Sequence, residues 1–198
     1  MRFLVHGIDA TDAGDRLEAL APDHWAYMDG FADALVARGP TLTADGSTHT
    51  GSIHVIEAIN LDSARRFARE EPFCRAGLYS SVEVTRMQSL LDSTMWDRPA
   101  AGDHVVSTLI VATWPSGPRP ADDSARGRVI TALAADERLV FGGVLVTDDG
   151  RAAFGVVAGL DVDTETATRL VGPIVDHGEV RACRWRRGGR PAPTAAED

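Results

Sequence analysis

The same order of predicted elements occurs twice along these 198 residues, and that repetition limits the available folds more than any other feature of the sequence. Residues 2–8 (RFLVHGI) are short, apolar and β-rich, and they read as a strand that stops at the polar run Asp9-Ala10-Thr11-Asp12. After a helical turn over 15–20, Pro22 fits the first position of a helix, with His24 in its first turn. Trp25, Met28, Ala32, Leu35 and Val36 then recur at helical spacing, and His24, Tyr27, Phe31 and Ala34 form the adjoining stripe. This helix is expected to end at Gly39-Pro40. Residues 41–44 read as a brief strand, Asp45-Gly46 as a turn and 51–59 (GSIHVIEAI) as a longer strand. Asp62 or Ser63 caps a second helix through Ala68 that stops before Pro72, and 81–86 (SVEVTR) closes the unit. The order is β-α-β-β-α-β, the ferredoxin-like arrangement.

The second pass begins at residue 104. Strands are expected over 104–113, 143–149, 154–160 and 180–186, with helical stretches over 122–135 and 164–170. Residues 143–149 (GVLVTDD) resemble 40–45 (PTLTAD), and 164–170 (TETATRL) parallel 62–68 (DSARRFA). The fold class is therefore α+β, built from two tandem ferredoxin-like units. The expected layout is a first domain over 1–92, a linker over 93–103, a repeat over 104–187 and a disordered tail over 188–198. The second copy has Arg126, Gly127 and Arg128 where the first has His24 and its neighbours, so the site is expected in the first half alone.

Composition removes several functional classes. A net charge of -9 argues against a nucleic-acid partner, which would need clustered cations. The basic group Arg184, Arg186, Arg187 and Arg190, interleaved with Trp185, reads as a strand end running into a solvated tail. No apolar run approaches the roughly 20 residues of a membrane helix, and the N-terminus is unlike a signal peptide, so the expectation is a cytoplasmic protein without membrane contact. The chain contains no lysine, which excludes Schiff-base chemistry and a P-loop lysine. Cys74 and Cys183 lack metal-site or redox spacing. Ser80 and Ser81 lie outside any nucleophile-elbow motif, and no phosphate loop is present. Trp96 and Trp114 could wall an aromatic pocket, although packing is the commoner role.

Pro22-Asp23-His24, Gly39-Pro40, Gly51-Ser52 with Glu57, Ala64, Ala68, Glu71-Pro72-Phe73, Ala76-Gly77-Leu78-Tyr79 and Val82-Glu83-Val84 follow one another through the first half. In that set and order the chain resembles the YCII-related (YciI-like) proteins. The resemblance implies ferredoxin-like units that pair as dimeric α/β barrels, a pairing a tandem chain can make within itself. It also implies a pocket built on a histidine and a carboxylate, with no metal and no organic cofactor, and one member of the family is a dehydrochlorinase of a chlorinated hydroxyquinol. Carried onto this sequence, the histidine is His24 and the acid is Glu71, standing where the family usually has aspartate; Asp33 is the reserve candidate. The family often has an arginine near Ala21, which this chain lacks.

Read from the residues, a histidine at a helix N-terminus stays neutral beside the partial positive charge there and can accept a proton. A carboxylate on its other ring nitrogen would fix the tautomer. The expected activity is cofactor-independent acid–base catalysis (elimination, isomerisation or cyclisation) on a small, aromatic or polyketide-like substrate. The alternatives are a cofactor-free monooxygenase of the dimeric α/β-barrel type and a non-catalytic binding or assembly module, with further association into a homo-oligomer left open. His6, Tyr27, Phe31, His54 and Asp33 are the substrate-binding candidates, His6 and His54 lying in strands that could present them to one sheet surface. A three-histidine metal site with His24 finds no support in spacing.

Overall fold

The computed structural model describes residues 1–98, 106–115, 117–120, 124–175 and 178–188. The first half contains β1 (Arg2–Asp9), α1 (Gly14–Asp29), β2 (Leu35–Leu42), β3 (His49–Glu57), α2 (Leu61–Glu70), the short α3 (Pro72–Arg75) and β4 (Tyr79–Ser89). The second contains β5 (Ser107–Thr113), β6 (Arg119–Pro120), α4 (Ser124–Ala134), β7 (Leu139–Val146), β8 (Ala152–Leu160), α5 (Thr164–Val175) and β9 (Glu179–Trp185). Each half is a ferredoxin-like unit, so the repeated order expected from the sequence holds. The tail over 189–198 and part of the linker lie outside the described residues.

The strands run β5-β9-β2-β3-β1-β4-β7-β8, and β8 pairs back onto β5, so eight antiparallel strands close into a barrel. The two-residue β6 pairs with β8 beyond the end of β5. Two seams join the halves. In one, Met87, Gln88 and Ser89 of β4 pair with Leu145, Val144 and Gly143 of β7. In the other, Thr41 and Leu42 of β2 pair with Trp185 and Arg184 of β9. Leu4, Ile53, Val55, Met87, Leu109, Phe141, Leu145, Val157 and Trp185 pack in a shared core, with residues from both halves. The outer faces are covered separately. Phe3, Val5, Met28, Leu35, Ile56 and Phe67 pack under the helices of the first half, and Ile110, Leu133, Val156, Leu160, Val171 and Ile174 form the equivalent cluster of the second. Trp114 belongs to this last cluster, its Nε1 donating to the Ile174 carbonyl at 3.0 Å.

The expected helix over 22–39 is the main correction. Helix α1 begins at Gly14, carries Pro22 in its interior and ends at Asp29. Ala13 and Leu17 are buried against Phe73 and Leu78, and this packing joins the turn expected over 15–20 to the helix that the proline signal started at Pro22. Leu35 and Val36, which fit the helical period, instead start β2, a strand paired with β3. Asp33 sits in the intervening 3-10 turn and is exposed, so it does not share a helix with His24. Gly39 and Pro40 fall inside β2 rather than ending a helix. Gly39 has φ +154°, and a Cβ there would collide with the carbonyl oxygen of Arg186. The glycine thus lets the end of β9 close onto β2.

Strand alternation also separates two of the candidate histidines. Val5 pairs with His54 and His6 pairs with Ile53, so His6 and His54 point to opposite faces of the sheet. Burial lowers the His6 pKa, opposed by Glu83 and reinforced by Arg181. Burial lowers that of His54 further, well below the ordinary value of 6.5, with the charges of His24, Arg38 and His6 adding to the effect.

Along the linker, Thr94 and Asp97 form a capping box around the 3-10 turn Met95–Asp97. Met95 is buried in the shared core, and Arg187 bonds to the Met95 and Arg98 carbonyls and to Asp161. The described part of the linker is therefore docked on the body of the protein.

Two outcomes follow from this architecture. Gly39→Ala should lower unfolding free energy by about 2–4 kcal/mol, because it combines a disfavoured φ with a backbone clash at the seam. An unchanged urea midpoint would contradict the described closure. His54 and His6 bind protons more readily in the unfolded chain, so stability is full above the unfolded pKa of 6.5 and falls as pH drops below it. The slope should reach about 1.4 kcal/mol per pH unit for each proton taken up, and His54→Leu should make it shallower in denaturation curves recorded between pH 7.5 and 5.

Candidate functional site

His24 lies in the second half of α1, on the buried face that also carries Leu17 and Met28. It is not in the first turn of the helix, so the argument from the helix N-terminus does not apply to it. What holds it is Glu71. The Nδ1 of His24 lies 2.5 Å from Glu71 Oε1, and both side chains are nearly buried, at 11% and 3% exposure. Glu71 is also the N-cap of α3, its Oε1 accepting from the Phe73 N–H at 3.1 Å and its Oε2 from the Cys74 N–H at 2.9 Å. Three donors around one buried carboxylate satisfy it without exposing it to water. The Pro72 that follows occupies the first helical position, where a missing N–H costs nothing. The extra methylene relative to aspartate therefore does not prevent contact with His24.

The His24 ring stacks on Phe73, with centroids 4.3 Å apart and an interplanar angle of 1°, and it lies 5.6 Å from the His54 ring. Its Nε2 makes no hydrogen bond among the described residues. This nitrogen belongs to a side chain lining a cavity of about 460 Å³. The cavity is bounded by the loop after β1, by α1, by β2 and β3, and by the end of β9; it includes Trp25, Arg38, Phe73 and Arg186. Its size is within the range of small-molecule sites.

The structure thus brings together His24, Glu71 and His54, and leaves the other sequence candidates elsewhere. His6 is directed to the opposite sheet face. Tyr27 and Phe31 pack with Phe67 in the apolar layer beneath the helices, the Tyr27 hydroxyl donating to the Phe67 carbonyl at 3.0 Å. Burial, with the charges of Glu70 and Glu71, pushes the Tyr27 pKa up to about 12. Asp33 is exposed in its turn. None of these four lines the cavity.

Sequence reasoning did not select Asp9, His49, Arg38 or Arg186. Asp9 falls in a polar run that reads as a loop, and His49 precedes the strand expected from residue 51. His49 Nδ1 lies 2.6 Å from Asp9 Oδ2, and Ser52 Oγ is 3.5 Å from His49 Nε2. Arg186, also among the lining residues, comes from the second half of the chain. Among the described residues no cluster of histidine, cysteine and carboxylate has a metal-binding arrangement. No described helix is long and apolar enough to cross a membrane.

Residues 1–88 match the YCII-related domain family. No curated protein matches the chain. Among solved structures, 5-chloro-2-hydroxyhydroquinone dehydrochlorinase from Burkholderia phenoliruptrix AC1100, in complex with 2,5-dihydroxybenzoquinone, is 29% identical over 44% of this chain and 94% of its own, with a TM-score of 0.42. A candidate monooxygenase of Lactobacillus acidophilus NCFM is similar over 94% of this chain and 93% of its own, at 12% identity and a TM-score of 0.55. A chlorite dismutase variant from Candidatus Nitrospira defluvii, in complex with cyanide, covers 93% of this chain and 90% of its own, at 9% identity and a TM-score of 0.55. At those identities the last two establish the fold, which they share over almost the whole chain. The first half thus matches the YCII-related domain over residues 1–88, and the second half completes with it, in a single chain, the closed barrel fold that these two structures share.

Proposed function

We propose that the chain is an enzyme that uses His24 and Glu71 as a general acid–base pair on a small aromatic or polyketide-like substrate. The observation that carries this reading is the buried contact between His24 Nδ1 and Glu71, which leaves Nε2 as the atom available to the cavity. A carboxylate on Nδ1 holds the proton there in the neutral ring, so the lone pair on Nε2 is free to remove a proton from substrate. Once Nε2 is protonated, the same carboxylate stabilises the imidazolium. Returning the proton at another position gives isomerisation, and losing an anionic leaving group from the carbanion gives elimination. The ring stacked on His24 belongs to Phe73, and Trp25 also lines the cavity; flat conjugated substrates suit such walls.

The second half reaches the cavity through Arg186, which is among its lining residues and whose backbone N–H donates to the Pro40 carbonyl at 3.1 Å. A guanidinium there is suited to an enolate, phenolate or carboxylate of the substrate.

The reading is tested with hydroxylated aromatics, hydroxyquinones and enolisable β-diketones, followed by mass spectrometry with and without oxygen. His24→Gln should reduce turnover about 100-fold or more while leaving the melting temperature within a few degrees of the parent. A His24→Gln protein that turns over at the parental rate would sink the proposal, and product formation that consumes oxygen would reassign the reaction to an oxygenase. Glu71→Ala should also reduce turnover, and it should cost about 1 kcal/mol of stability besides, because it removes the cap of α3.

A further inference from the structure

We propose that His49 is a second proton-transfer group of the same cavity, positioned by Asp9 and Ser52, so that the enzyme moves a proton between two positions of one planar, conjugated substrate. This inference rests on the acid–base reading of His24 and extends it.

The cavity holds two histidine–carboxylate pairs of the same polarity. In each, Nδ1 faces a carboxylate, Glu71 for His24 at 2.5 Å and Asp9 for His49 at 2.6 Å, and in each Nε2 is the remaining ring nitrogen. Asp9, His49, Ser52 and His24 all line this one space. The chain supplies them from separate places: Asp9 ends β1, His49 begins β3, and Ser52 follows in β3. Ser52 Oγ lies 3.5 Å from His49 Nε2, completing a carboxylate–imidazole–hydroxyl series directed at the cavity.

A purely structural role explains this series poorly. Strands β1 and β3 are already paired from Arg2 with Glu57 through Ile8 with Gly51, so their register does not require a side-chain tie at the end. A partly exposed ion pair contributes little to stability. Moreover, only one oxygen of Asp9 is used. Its Oδ1 is buried and has no hydrogen-bond partner among the described residues, and the side chain as a whole is 9% exposed. A buried carboxylate oxygen left without a donor is costly, and such groups concentrate where chemistry needs them.

The proposed step balances. One imidazole takes a proton from a substrate C–H or O–H through Nε2, and the electron pair moves through the conjugated system. The other imidazole, starting as the imidazolium that its carboxylate stabilises, then gives its Nε2 proton to the far end and becomes neutral. One is left with an extra proton and the other with one fewer, and water in the cavity returns the proton between them. The substrate class is a planar molecule with an exchangeable hydrogen at each end of a conjugated path, such as a hydroxylated quinone or an enolised diketone.

The test uses the full chain with 5-nitrobenzisoxazole, a planar aromatic whose ring opens when a base removes its acidic C–H, together with nitrogen-15 spectra of labelled histidine. Neutral His49 should carry its proton on Nδ1 and leave Nε2 bare. His24→Gln should leave residual ring opening, and adding His49→Gln should remove at least about tenfold more. Asp9→Asn should slow the ring opening that remains in His24→Gln and move the pH profile of that rate, which a merely structural contact would not do. If the double variant opens the probe as fast as His24→Gln alone, or if neutral His49 carries its proton on Nε2, the proposal is overturned. If His49→Gln abolishes ring opening while His24→Gln does not, the role of His49 stands and that assigned to His24 falls. A parent chain that does not accelerate ring opening overturns both. Should the double variant fail to fold, the tautomer in the parent chain decides alone.

Discussion

Unpaired sheet edges are the constraint on which the rest of this molecule depends. A ferredoxin-like sheet ends in two edge strands whose backbone groups need partners, and here each half supplies them to the other. Strand β4 pairs with β7, and β2 with β9, so that the closed ring keeps no long free edge. Closure also decides where the core is. It gives Trp185, Phe141 and Leu109 of the second half a common interior with Leu4, Ile53 and Val55 of the first. An isolated half would expose that whole apolar face to water.

Most of this was legible in the sequence, for identifiable reasons. Strands β1, β3 and β8 announce themselves by β-branched runs bounded by polar or glycine-containing turns, and α2 by a polar start near Asp62 and Ser63, although its cap is Asn60, whose Oδ1 accepts from the Ser63 N–H at 2.8 Å. Residues 30–40 were misread because Leu35 and Val36 satisfy a helical period and a strand equally well, and only pairing with β3 decides between them. Pro22 misled in the same way, since tertiary burial of Leu17 and Ala13 outweighs the local preference it expresses. The pair of His24 and Glu71 came from a motif rather than from spacing, and 47 residues separate them in the chain. The rest of the cavity was hidden for a physical reason. Asp9, His49 and Arg186 become neighbours through strand register and through barrel closure, and neither leaves a local mark in the sequence.

Glu71 shows how stability and chemistry are joined in this fold. The same carboxylate ends the loop before α3, holds two backbone N–H groups and holds His24. Its buried position is tolerable only because all three donors are present. The helix start and the histidine are therefore fixed by one group, and the site inherits the rigidity of the element that carries it.

Gly39 has a consequence of a different kind. It lies where β9 reaches β2, and the cavity passes along the same line, with Gly39, Pro40, Arg186 and Gly188 among its walls. A molecule seated there touches both halves of the chain at once. Part of its binding free energy then favours closure, so occupancy and the integrity of the ring are linked equilibria, and the ligand strengthens closure by the same coupling free energy with which closure strengthens the ligand's hold.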